Sequence, residues 1–172
     1  MAERQERTAA DAVLTRIGQV VILHHAGDRE EARRRLLDLW AELGEHGEPV
    51  HRCTLAHYLA DTQDDPSDEL AWDLRALSAA EEAEEADEAE GAAGLRGFYP
   101  SLHLNLAADY VKLGRTDAAR SHLDRARGTA AALGDDGYGN GVRAAISRLE
   151  LRLADDGDPG ADSWGPPRQR PK

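Results

Sequence analysis

Apolar residues in this chain recur every three or four positions, in blocks closed by glycine or opened by proline. That period is the helical one, and it decides the fold class before anything else does. Leu36, Leu39, Trp40 and Leu43 make one block. Leu102, Leu106, Tyr110 and Leu113 make another, and Val142, Ile146, Leu149 and Leu153 a third. The strict alternation of β-branched and aromatic residues that marks a half-buried strand is missing. Ala, Leu, Arg and Glu dominate instead, and these are strong helix formers. The expectation is an all-α chain.

The punctuation divides that chain into seven helices. Thr8 caps the first, which carries Val13, Leu14, Ile17, Val20 and Val21 and stops at Gly27. Asp28 caps the second, with Glu31 completing a capping box. Pro49 opens a third with Leu55, Tyr58 and Leu59 inward, and the polar run 61–65 breaks it. Pro66 opens a fourth, with Leu70, Leu74, Leu77 and Trp72, which runs toward an acidic stretch at 81–90. A fifth follows Pro100 and closes at Gly114. Thr116 caps a sixth bearing Ala119, Leu123, Ala126 and Ala130. The glycines of 137–141 read as a flexible turn before the seventh. Boundaries follow: a tail at 1–7, hairpins near 8–44, 48–90 and 98–133 within a helical domain at 8–154, and a capping helix near 141–154. The Pro- and Gly-rich tail at 155–172 reads as disordered.

Charge narrows the function. The formal net charge is −12. Such a chain repels nucleic acid and anionic lipid unless its cations are segregated. Its one basic cluster, Arg33, Arg34 and Arg35, has acidic neighbours. A single cysteine, Cys53, rules out an internal disulfide. The charged start has no apolar segment of signal-peptide type, and no apolar run is long enough to span a bilayer. A cytoplasmic chain with no nucleic-acid or membrane partner is expected.

Catalytic and metal-binding signals are thin. Cys53, His57 and Asp61 fall on one helical stripe and are of metal-ligating type, which makes them weak candidates for a partial metal site. No second ligand cluster accompanies them. Ser, His and Asp are too sparse to nominate a triad, and no carboxylate is singled out by an apolar setting. An enzyme is not expected, and no cofactor is implied.

The turns resemble one another. Gly27 is followed by Ala32 and Leu36, and Gly114 by Ala119 and Leu123, at the same offsets. Self-similar helix–turn–helix units are the mark of a helical solenoid. The run Leu106-Ala107, Tyr110, Gly114, Ala119, Leu123 and Ala126 resembles the tetratricopeptide repeat at the spacing of that family, in a style similar to small bacterial members. Gly27 and Ala32 carry the resemblance in the first hairpin. The turns at Gly27, Asp65 and Gly114 are unevenly spaced, the longer gap holding the acidic stretch, against about 34 residues in a regular repeat.

The resemblance implies a solenoid of three antiparallel hairpins plus a capping helix, a TPR-like superhelix. It also implies a protein-interaction scaffold or regulatory adaptor that takes a partner peptide or helix in a concave groove. The groove positions so implied are Gln19, Cys53, His57, Asp61, Ser101, Leu104, Asn105, Ala108 and Lys112. The acidic charge favours a partner of basic character. Two alternatives stand beside this: a homo-oligomer, in which Trp40, Trp72 or the last helix meets a second copy, and a metal-binding protein centred on Cys53 and His57.

Overall fold

The computed structural model describes residues 1–86 and 95–156, the side chains of Glu3 and of 6–11 excepted. These residues form seven α-helices and no strand: α1 Ala2–His25, α2 Arg29–Leu43, α3 Pro49–Asp61, α4 Pro66–Glu85, α5 Tyr99–Lys112, α6 Thr116–Ala130 and α7 Gly137–Asp155. The all-α expectation holds. Most of the acidic stretch, at 87–94, and the tail from 157 lie outside the described residues.

Neighbouring helices pack in sequence, α1 on α2, α3 on α4 and α5 on α6. The pairs are joined where α1 meets α3, α2 meets α3, α4 meets α5, and α7 lies against both α5 and α6. Each contact has a sequence cause. Ala107 and Ala119 are fully buried where α5 and α6 come together, and their small size lets the two backbones approach. Leu123 and Ala126 fill the same layer, and Ile146 and Leu153 of α7 close it. Ala76, Ala79, Ala80 and Ala83 of α4 admit Cys53 and Ala56 of α3 in the same way. Tyr110 bridges cores, packing against both the α5–α6 layer and the α4–α5 seam of Leu70, Leu77 and Leu106. Trp40 and Trp72 meet edge to face at 5.1 Å between ring centres, partly buried over the Ile17, Leu36 and Leu55 core.

The turns follow the punctuation. Gly27 (φ 97°) and Gly114 (φ 71°) take the left-handed conformation that ends α1 and α5 sharply. Asp28 accepts from the Glu31 amide at 3.4 Å, but the Glu31 carboxylate binds Arg34 and Arg35 instead of reaching back. Asp65 accepts from the amides of Ser67 (2.7 Å) and Asp68 (3.4 Å). Arg29 and Arg33 of α2 then grip this α3–α4 turn through Asp64, each at 2.9 Å, and Arg33 also donates to the Thr62 carbonyl at 2.9 Å through its Nε. The basic cluster 33–35 is thus spent on internal carboxylates.

Three boundaries differ from expectation. α1 begins at Ala2 and runs through Thr8, because Ala2-Glu3-Arg4-Gln5-Glu6-Arg7 are all helix formers. Thr116 does not cap α6; it is the first helical residue, and no side chain caps that end. α7 begins at Gly137, not near 141. Asp136 accepts from the Gly139 amide at 2.8 Å and caps the helix within the glycine run. A Cβ at Gly139 would lie 2.3 Å from the Gly134 carbonyl oxygen, so that glycine serves close packing and not flexibility.

Candidate functional site

α3, α5 and α7 together shape one surface. Helical spacing puts Ser101, Leu104, Asn105, Ala108 and Lys112 along one stripe of α5. All but Lys112 are half-buried, and Lys112 is exposed. His57 of α3 approaches the stripe from one side, with the Asn105 amide nitrogen 3.4 Å from its Nδ1. α7 approaches from the other side.

Two concavities open along the stripe. The first has a volume of about 300 Å³ and is walled by Tyr58, Phe98 and Tyr138, with His57, Gly97 and Ser101. It gathers the chain's sole phenylalanine and two of its four tyrosines. Tyr138 stands in the first turn of α7, where the Asp136 cap places it. Its hydroxyl donates to the Gly97 carbonyl at 3.0 Å and lies 2.5 Å from the Ser101 hydroxyl. Phe98 meets the His57 ring edge-on at 5.8 Å. The second concavity, about 260 Å³, lies between α5 and α7. Leu104, Ala108, Ala145 and Leu149 make it apolar, and Arg148 and Arg152 line it as well.

The residues implied by the repeat resemblance divide accordingly. His57, Ser101, Leu104, Asn105 and Ala108 come together here. Lys112 continues the α5 stripe, but both its contacts go to the Glu69 carboxylate, at 2.7 and 2.8 Å, so its charge is already matched. Asp61 is exposed at the end of α3. Gln19 belongs elsewhere, in a separate cleft between α1 and α2 beside Arg35 and Glu42. Cys53 offers no surface at all; it is buried between α3 and α4 because the small alanines of α4 leave room for it. Burial, and then the nearby Asp73 charge, push its thiol up to about 12, far from the thiolate a metal would need. Cys53, His57 and Asp61 therefore do not converge. Among the described residues, no three His, Cys, Asp or Glu side chains are grouped to hold a metal ion.

Beneath His57 lies a feature that composition hides. Asp73 of α4 and Asp109 of α5 are each only 1% exposed. Asp73 Oδ1 and both oxygens of Asp109 have no hydrogen-bond partner among the described residues. His57 Nδ1 lies 3.8 Å from Asp73 Oδ1. Burial, and then the facing Asp73 carboxyl, raise Asp109 well above the usual carboxylate range. Asp109 therefore keeps its proton where an exposed carboxyl would have lost it. Both carboxyls are closed to solvent where α4 and α5 meet.

Tyr138, Phe98, Arg148 and Arg152 had no part in the expected site. One signal was present: Tyr138 is an aromatic residue set inside a glycine run, where a plain turn has no use for one. No helix among the described residues is long and apolar enough to cross a membrane. No family model, curated protein or solved structure matches the chain.

Proposed function

We propose that this chain is a TPR-like helical solenoid acting as a protein-interaction scaffold or regulatory adaptor, which receives a partner peptide or helix along α3, α5 and α7. One observation carries the reading: the half-buried α5 stripe of Ser101, Leu104, Asn105 and Ala108 runs between two flanking helices, with one concavity at Ser101 and another at Leu104 and Ala108. Stacked helix pairs present such surfaces, and an amphipathic segment docks in them through residues at helical spacing. The gathering of aromatic side chains at one end fits the composition of binding hot spots. The buried carboxyl pair lies beyond the reach of any ligand in the groove, so binding without catalysis is the simpler role.

A photo-reactive residue at Ala108 tests this. The expected result is crosslinking of one partner from that position, little from Ser121 on the exposed side of α6, and loss of the Ala108 product when Leu104→Glu is added with helicity unchanged. Equal yields from both positions count against the groove.

A further inference from the structure

We propose that the aromatic pocket between α3, α5 and α7 takes one arginine side chain of the docked partner. The proposal rests on the groove reading and specifies what the groove recognises. At about 300 Å³ the pocket is at the small end of ligand sites, the size for a single group and not an extended molecule. Its walls are Tyr58, Phe98 and Tyr138, and no lysine or arginine lines it. Aromatic ring faces attract cations, arginine most often.

The charges behind the walls have the matching sign. Asp73 Oδ1 lies 3.8 Å from Nδ1 of His57, which lines the pocket, and has no hydrogen-bond partner among the described residues. Lys112, the cation on the same α5 stripe, is tied to Glu69. The whole chain carries −12. The contrast with the neighbouring concavity is informative, because Arg148 and Arg152 line that one and would repel a cation.

Acceptors also favour a guanidinium, whose N–H groups point outward in a planar fork. The Gly97 carbonyl and the Ser101 hydroxyl both lie within hydrogen-bonding distance of the Tyr138 hydroxyl, among the residues that line the pocket. Their mutual bonds hold the Tyr138 wall in place before any ligand arrives, which lowers the ordering cost of binding.

The test is an NMR titration of the full chain with the blocked amino acid Nα-acetyl-arginine N-methylamide, and in parallel with its citrulline, lysine and leucine counterparts. The expected result is that the arginine probe shifts the resonances of Tyr58, Phe98, Ser101 and Tyr138, with citrulline weaker by about tenfold or more. Tyr138→Ala should abolish the shifts; Tyr138 is half exposed, so its removal spares the core. Citrulline or leucine matching arginine overturns the need for charge, and lysine matching it overturns the choice of guanidinium. Absence of shifts, or shifts that persist in Tyr138→Ala, overturns the pocket. None of these outcomes touches the crosslinking result at Ala108, so the groove reading fails or stands separately.

Discussion

The residue that most repays attention is Asp109. A carboxyl with 1% exposure, facing another carboxyl, keeps its proton far into the neutral range. The unfolded chain gives that proton up near pH ~4. The folded form therefore binds more protons than the unfolded form from there upward, and stability falls as pH rises toward the raised native value. The loss per proton is about 1.4 kcal/mol for each pH unit. Asp109→Asn keeps the shape, never ionises, and offers an amide N–H to Asp73. It should be more stable than the parent near pH ~8, by about 1–3 kcal/mol, with a flatter decline between neutral and alkaline pH. Urea unfolding at several pH values checks this; parallel profiles for the two proteins would falsify a proton held at Asp109. His57, which lines the aromatic pocket, lies 3.8 Å from Asp73, the other member of this pair.

At the scale of the element, α7 is where sequence and structure part company, and the reason is physical. Several other helix ends could be read because their signals are local, although the start of α1 and the cap of α6 could not. Gly27 and Gly114 supply positive φ, Asp28 and Asp65 cap, and Pro49 and Pro66 open their helices. In the run 137–141 the same residue type does a different job. Gly139 is needed because the Gly134 carbonyl passes where a side chain would go, a long-range fact with no local signature. The buried carboxyl pair was hidden for a similar reason: nothing distinguishes Asp73 and Asp109 among 33 acidic residues until packing removes water from them. The α5 stripe, by contrast, is what the repeat resemblance implied, whereas walls of the pocket beside it come from α7 and the 95–98 turn. Gly139→Ala should push the first turn of α7 away from Gly134 and displace Tyr138 from Ser101. The expected cost is about 2 kcal/mol, seen as a fall of about 4–8 °C in Tm. Weaker Tyr138–Ser101 contact should appear in the tyrosine ring resonances. An unchanged Tm with unchanged ring shifts would show that the close approach is not needed.

Over the whole molecule, two buried groups with opposite pH responses shape the stability curve. His103 stacks on His122 with rings 5.4 Å apart and Nδ1 atoms at 3.1 Å, a contact that needs one ring to donate and the other to accept. Burial, and then His122 and Arg125, lower His103 to about 4. A histidine kept neutral in the fold stabilises above its unfolded value near pH ~6.5 and loses that contribution as pH falls toward the native one. Asp109 works the other way, losing stability from pH ~4 upward. Between these two values the two slopes oppose each other, and His122, lowered by its own burial and then by Arg125, works on the side of His103. Above pH ~6.5 the Asp109 loss continues, above pH ~8.5 the raised Cys53 thiol adds a loss of the same sign, and the −12 charge adds repulsion in the same direction. The molecule should therefore be more stable in mildly acidic buffer than in mildly alkaline buffer. Salt separates the two causes, since it screens exposed charges and leaves a buried carboxyl pair nearly untouched. Calorimetry across this range, at low and high salt, should show an alkaline decline that salt reduces only in part, and that Asp109→Asn removes in the remainder. A decline that salt abolishes entirely in the parent protein would assign all of it to surface repulsion and none to the seam between α4 and α5.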